Sequence, residues 1–477
     1  MPDADHRRSA LLVCLVAGAM TLLDVSIVNV ALPSIRTGLG AGESTVQWVV
    51  AGYSLAFGIL LVPAGRLGDA RSRRAVFMTG VALFTVASAL CGAAQGPGWL
   101  AAARVAQGLG GGMIAPQVSG FIQNLFSGAE RGRAFGLFGA TIGVSTAIGP
   151  MLGGVLVGLG GPDLGWRLVF YVNVPIGAVL LVLARRYLPA PEHGRRQSLD
   201  PVGVLLFAAA MFTVLLPLVQ GEQSSLTSRP WWLLAVAAVL LALFALWERH
   251  WRRRGQETLV DPTLLRNSYF LSGLGLGTLY FAGFTAVFVV LTLYLQDGLG
   301  YSPLQAGLTQ MPFAVGSAVS AWQAGRLVSR LGRTLVVTGL VLVVAGLLAV
   351  DLLAPVLDAG QAGWVFAPFL LLAGIGGGLV ISPNVTLTLA EVDPVRAGVG
   401  GGLLQTAQRV GGAVGVAVVL AVFYAYAATH GDDLGEALSA SLRATLGLVT
   451  AALVLGVVDL LRRRRSEPRP GGRAVAD

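Results

Sequence analysis

An all-α protein that crosses a membrane many times is what this sequence predicts, and three observations predict it. Apolar residues make up 55% of the chain against 12% charged, too greasy for a soluble enzyme of 477 residues. Apolar windows of about 20 residues recur between charged or Pro/Gly breaks, the length that crosses a hydrocarbon core. The 65 glycines fit helices packed in lipid, where small residues let backbones approach closely.

These windows predict fourteen spans. Six start near Ser9, Thr45, Ala75, Gly98, Ala134 and Leu168, a pair near Pro201 and Trp231, and six more near Phe270, Pro303, Leu335, Gly363, Ala397 and Ala440. The chain has no lysine, so its 33 basic residues are all arginine. Most fall on the side of the two termini, including Arg71, Arg73, Arg74, Arg185, Arg186, Arg195, Arg196, Arg252 to Arg254 and Arg462 to Arg465. Only Arg36, Arg167, Arg229 and Arg443 fall on the other, which predicts cytoplasmic termini. Charges that alternate with spans form no nucleic-acid stripe, so no nucleic-acid partner is expected. Arg7 and Arg8 before an apolar run ending in Ala17-Gly18-Ala19 mimic a secretory leader, but the many following spans favour an uncleaved first helix. Cys14 and Cys91 sit in apolar runs and read as buried hydrophobes without a disulfide.

The chain repeats itself. Gly65-Arg-Leu-Gly-Asp-Ala-Arg-Ser-Arg-Arg74 is echoed by Gly325-Arg-Leu-Val-Ser-Arg-Leu-Gly-Arg-Thr334, and Gly108-Leu-Gly-Gly-Gly-Met113 by Gly374-Ile-Gly-Gly-Gly-Leu379. Two parallel six-span halves give such echoes, with a substrate site where they meet. The expected divisions are a first bundle over 1–197, two inserted helices over 198–254, a second bundle over 255–465 and a disordered cytoplasmic tail over 466–477. Ser329 stands where the echo would place Asp69, and Leu370 where it would place Arg104, so the charged machinery is expected in the first half.

Asp24 lies within Leu22-Leu-Asp-Val-Ser-Ile-Val-Asn-Val-Ala-Leu-Pro33. A carboxylate in hydrocarbon is costly and needs a cavity or a partner, so Asp24 reads as the proton-binding group of a transporter; the bland alternative is an acid held only for packing. Arg104 is the second costly residue. At 1.5 Å per residue, Arg104 lies about 9 Å inside the fourth span and Asp24 about 24 Å along the first, which brings them to similar depth. Contact between them is not required: a nearby cation favours the ionised carboxylate while burial opposes it, so Arg104 can help set the proton affinity of Asp24. The alternative is an arginine that bonds helix carbonyls. Gly108, Gly111 and Ala115 follow Arg104 on one face, suited to a close helix contact.

At the cytoplasmic edge, Gly65, Asp69, Arg73 and Arg74 form a candidate latch, since an acid at a helix end can pair with arginine or with another helix N-terminus; a solvated basic turn is the alternative. In the fifth span Gly139, Gly143, Gly149, Pro150, Gly153 and Gly154 suggest a smooth helix, expected to bend at Pro150, where the carbonyl of Thr146 loses its partner. That surface suits rocking or static packing equally. Asn29, Gln107, Asn384, Gln405, Gln408 and Arg409 are candidates for the wall of a substrate cavity, and no acid in the second half is an obvious mate for Arg409.

Other chemistry is sparse. His6, His193, His250 and His430 are expected in loops without ligand spacing, so no metal is expected. No GxxxxGK[ST] loop appears, which argues against an ATP-driven pump, and no nucleophile and base constellation marks an enzyme. Asn384-Val-Thr386 fits a glycosylation acceptor but lies in an apolar run.

These motifs together resemble the major facilitator superfamily, in its fourteen-span drug:proton antiporter branch. Leu23-Asp24 through Asn29-Val-Ala-Leu-Pro33 is similar to the first-helix signature of that branch, and Gly65 to Arg74 to the loop motif between spans two and three. Arg104-Val-Ala-Gln107-Gly108 resembles the fourth-span proton-transfer motif and Gly143 to Gly154 the antiporter motif. Gly165-Trp-Arg-Leu-Val-Phe-Tyr-Val-Asn173-Val-Pro175 and Tyr301-Ser-Pro303 also look like this branch. Ser72 departs from the loop motif, which usually has Gly there. The resemblance implies a major facilitator fold of two six-helix bundles plus two inserted helices. It also implies a monomeric multi-pass protein of the cytoplasmic membrane that exports small lipophilic, often cationic, drugs or antibiotics. Export would be driven by proton entry, without a cofactor. The alternatives are export of an endogenous metabolite or lipid, or a membrane sensor that does not transport.

Overall fold

The computed structural model describes residues 4–190, 198, 200–219, 230–357, 359–429 and 434–466, which are helical throughout apart from short connections. The first half comprises α1 (Ala4–Leu39), α2 (Glu43–Leu67), α3 (Arg73–Gly92), α4 (Pro97–Leu125), α5 (Gly128–Tyr171) and α6 (Asn173–Tyr187). Two helices follow, α7 (Pro201–Val219) and α8 (Trp232–Arg253). The second half is α9 (Ser268–Leu293), α10 (Pro303–Leu331), α11 (Arg333–Leu353), α12 (Ala359–Leu389), α13 (Ala397–Thr429) and α14 (Leu434–Ser466). Arg195, Arg196, Arg229, His193, His430 and the expected tail from 467 onward lie outside the described residues.

Eleven segments among the described residues are long and apolar enough to cross a membrane, one of them running through both α2 and α3. Helices α4 and α10 are not in that set. Each carries polar side chains within its length, among them Arg104, Gln107, Gln117 and Gln123 on α4, and Gln305, Gln310, Gln323 and Arg326 on α10. His6 and His250, expected in loops, lie in α1 and α8.

The repeat seen in the sequence is repeated in the packing. In the first half α1 packs on α5, α2 on α4, α3 on α4 and α3 on α6; in the second α9 packs on α13, α10 on α12, α11 on α12 and α11 on α14. Glycines set the distance in both. A Cβ on Gly112 would press on the carbonyl of Phe57 at 2.6 Å, and one on Gly374 would overlap that of Phe313, so α4 meets α2 as α12 meets α10, backbone against backbone. The halves meet through α5 with α10 and α2 with α13, the same pairing from opposite sides. The inserted α7 touches both halves: Phe207 and Met211 pack with Val62 of α2 and Val399 of α13.

The sixth expected span is assembled across a break. Gly161 adopts φ 66°, a left-handed conformation open to glycine at little cost, and there the chain turns back from the long arm of α5. Gly161 is the position inside α5 where the backbone leaves helical φ/ψ, and Pro150 lies in the helical run before it.

Candidate functional site

Asp24 is fully buried in the middle of α1, and its carboxylate accepts from three side chains. Arg104 Nη1 donates to Oδ2 at 2.6 Å, while Gln107 Nε2 and Asn173 Nδ2 donate to Oδ1 at 2.7 and 2.9 Å. Arg104 is 2% exposed and its Nε donates to the carbonyl of Val49 at 3.0 Å. Gln107 also reaches Ser88 Oγ at 2.6 Å. The arginine and carboxylate, inferred separately and not required to meet, are thus in direct contact. Close approach of α2 makes this possible: a Cβ on Gly108 would overlap the carbonyl of Tyr53, so only glycine lets the Tyr53 ring slide under Arg104, whose Cζ lies 4.2 Å from its centroid.

Both oxygens of the buried carboxylate are thus occupied by donors. Protonation would remove the charge that holds Arg104 and leave three donors competing for weaker acceptors.

A second constellation lies where the two halves meet, on the face shared by the start of α1 and the end of α14. Gly68 to Ser72 forms one π-helical turn between α2 and α3. The Asp69 carboxylate accepts from Arg73 Nε and Nη2 at 2.9 and 2.7 Å, and from the amides of Gly398 and Val399 at 3.1 and 2.9 Å. Those amides open α13, so the acid sits on the positive end of a helix in the opposite half. Arg73 reaches the carbonyls of Pro394 and Val395 at 2.8 and 3.1 Å. Gly65 abuts the Gly398 carbonyl so closely that a Cβ would overlap it. Arg74, grouped with these residues in the sequence, instead bonds the Arg185 carbonyl at the end of α6 in its own half. Ser72, where the resembling motif has Gly, is extended and its hydroxyl accepts from the amide of Ala75 at 3.1 Å, so it caps α3.

The α5 glycines serve two neighbours. A Cβ on Gly143 would press on Ala318 of α10 in the second half at 3.0 Å, whereas Gly149 and Gly153 face Ser26 and Ile27 of α1, and Gly154 meets open space. Half-buried Pro150 lies between these contacts.

The candidate cavity residues separate. Gln107 is fully buried in the Asp24 cluster. Asn384, 2% exposed, accepts from Arg333 Nη1 at 2.6 Å and donates to the Gly273 carbonyl at 3.0 Å, so both amides are occupied by buried charge or backbone. Asn29 is exposed on α1, Gln405 bridges to the Ala115 carbonyl on α4 at 3.1 Å, and Gln408 and Arg409 are half-buried on α13.

Charge is not confined to the first half, contrary to the expectation from the repeat. Arg333 Nε meets Asp459 Oδ2 at 2.5 Å, with Arg463 at 3.4 Å from the same oxygen and at 3.3 Å from Glu391. Sequence reasoning also gave no role to Asn173, although it lies in the Gly165 to Pro175 motif, or to Ser88, Tyr53 and the Val49 carbonyl.

The sequence profile described as Major Facilitator Superfamily matches residues 14–416. The chain is 38% identical over 424 residues to the probable actinorhodin transporter of Streptomyces coelicolor, covering 89% of this chain and 73% of that protein. It is 36% identical over 469 residues to the puromycin resistance protein pur8 of Streptomyces alboniger, covering 96% and 90%. Its fold is similar to that of the human organic anion transporter MFSD10 at a TM-score of 0.67, covering 96% of this chain and 100% of that one at 16% identity.

Proposed function

Because the chain belongs to the major facilitator superfamily and is a multi-pass membrane transporter rather than an enzyme, we propose that it is a proton-coupled antiporter exporting small lipophilic drugs or antibiotics across the cytoplasmic membrane by alternating access. It spans the membrane fourteen times, acts as a monomer, and keeps both termini and the arginine-rich face in the cytoplasm. The observation that carries the reading is the sealed carboxylate of Asp24, held by Arg104, Gln107 and Asn173. The names of the relatives support drug export.

Helix α2 is the lever that links proton to gate. Its Tyr53 ring underlies Arg104, and about 18 Å along the same rigid helix Gly65 seats the contact with α13, with Asp69 one turn further on. Neutralising Asp24 frees Arg104 and lets α1 and α4 shift, and α2 carries that shift to the latch. Asp69 then leaves the N-terminus of α13 and the cytoplasmic side opens. The latched state is accordingly the outward-facing one. Asp24, Asp69, Asp351 and Asp459 are each paired with an arginine, which offers no free carboxylate among them for a cationic cargo.

The test is reconstitution in proteoliposomes with a panel of lipophilic aromatic probes, neutral, anionic and cationic. Wild type should release protons on adding a transported member of the panel and should move it against an imposed pH gradient, and Asp24→Asn should do neither. Coupling unchanged in Asp24→Asn would refute the proton role. Labelling of Arg71→Cys from the inside only, and of Thr37→Cys from the outside only, checks the orientation.

A further inference from the structure

Among the described residues, the buried and half-buried arginines differ in what satisfies them, and half-buried Arg131 and Arg167 are held by backbone carbonyls. Arg104, Arg333, Arg66 and Arg73 each pair with a carboxylate. Arg409, half-buried about 18 Å along α13 from Ala397, has no carboxylate or hydrogen-bond acceptor among the described residues. Its Cζ lies 4.4 Å from the centroid of the Phe57 ring, across the seam on α2. A cation over a ring recovers only about 0.5–2 kcal/mol, so the half-buried guanidinium keeps its capacity to bind an anion. Since Asp24 is already neutralised by Arg104, the space between the halves at this level carries an uncompensated positive charge.

The surroundings say what would neutralise it. Tyr53 and Phe57 stand one turn apart on α2 with ring centroids 5.9 Å apart, Arg104 on the first and Arg409 on the second. On the second half, a Cβ on Gly412, three residues past Arg409, would come within 2.9 Å of Thr285 Oγ1, which places the Phe281 to Thr285 turn of α9 at the same level. From that turn half-buried Phe281, Phe284 and Phe288 form a ladder of rings with centroids 5.4 and 5.2 Å apart, continued by Phe313 of α10 at 5.0 Å from Phe288. An unpaired guanidinium on the Phe57 ring, with a ladder of rings at the same level of the second half, matches a ligand with an acidic group on a planar apolar body.

We propose that Arg409 is the anchor for the acidic group of an aromatic substrate, so that the cargo of the proposed export is an amphiphilic aromatic anion. The proposal rests on the transport reading given above for its site, and is tested by equilibrium binding without any proton gradient. A failure here therefore leaves the coupling role of Asp24 to its own experiment. The probes are anthracene-2-carboxylate and its methyl ester, which share one ring system, followed by fluorescence anisotropy on the purified full chain in detergent. Wild type should prefer the acid by about ten-fold or more, the gain of a charge-assisted bond. Arg409→Gln should erase that preference while binding the ester as wild type does, and Arg409→Lys should keep part of it. Equal affinities in wild type, no binding of either probe, or a preference that survives Arg409→Gln would overturn the proposal. Replacing gluconate by chloride should weaken acid binding only slightly; complete displacement by chloride would reassign the site to an inorganic anion and overturn it as well.

Discussion

The first half buries Asp24 with Arg104 and the second buries Asp459 with Arg333, at exposures of 0, 2, 1 and 3% respectively. The first pair lies in mid-helix, with each carboxylate oxygen occupied and the arginine resting on a ring of α2. The second joins the first residue of α11 to the last turns of α14, and Arg333 Nη2, Asp459 Oδ1 and Arg463 Nη2 are buried there without a partner among the described residues. Its bonds run to Asn384 on α12, to Glu391 after α12 and to Arg463 on α14, all within the second half. Equal burial thus accompanies different connections. One pair touches α2, the helix that also meets α13 at Gly65, and the other joins the ends of helices within one half.

The largest expected effect breaks the staple. Arg333→Met leaves Asp459 with only the longer contact to Arg463, and an uncompensated buried charge costs about 3–5 kcal/mol. Thermal melts in detergent should fall steeply, and Asp459→Leu added to Arg333→Met should recover much of the loss. Transport per folded molecule should stay near that of wild type. If Arg333→Met folds but loses proton coupling, the division between the two pairs fails.

The latch gives a smaller and more selective effect. Gly65→Ala places a methyl group on the Gly398 carbonyl, and overpacking of this kind costs about 1–3 kcal/mol. The cost falls on the closed state alone, since neither charge cluster is touched. Ser119, buried against Gly401 in the same seam, supplies a reporter. Ser119→Cys should be labelled faster with Gly65→Ala than without it, with little change in melting. Unchanged labelling would mean that the seam opens elsewhere.

Much of this was legible in the chain because charge in an apolar run is conspicuous. Asp24 and Arg104 stand out for that reason, and Asp69 drew attention as a lone acid among arginines. The repeat exposed the two halves because the same glycine spacing solves the same packing problem twice. Amides and hydroxyls give no such signal, so Asn173 and Ser88 passed unmarked, as did the contacts of Gln107 and Asn384 with buried charge. The Arg333 and Asp459 pair escaped because its members are 126 residues apart and both sit near helix ends, where charges ordinarily face water. Gly161 passed unmarked because nothing in a glycine-rich apolar run singles out the glycine whose positive φ reverses the chain.

The finest distinction uses two asparagines with similar chemistry. Asn173 donates to Asp24 at 2.9 Å, and Asn384 accepts from Arg333 at 2.6 Å, so truncation to alanine removes one bond to a buried charge in either half. The cost should be alike, about 1–3 kcal/mol, visible as comparable drops in melting temperature for Asn173→Ala and Asn384→Ala. Their effects on transport should part company. Asn173→Ala removes one of the three side-chain contacts to the carboxylate, and should change the proton-driven rate per folded molecule several-fold. Asn384→Ala should leave that rate alone, because helices stapled within one half enter both conformations with the staple closed. A shared loss of rate would mean that the second pair also opens during the cycle, and that both halves carry charge through it.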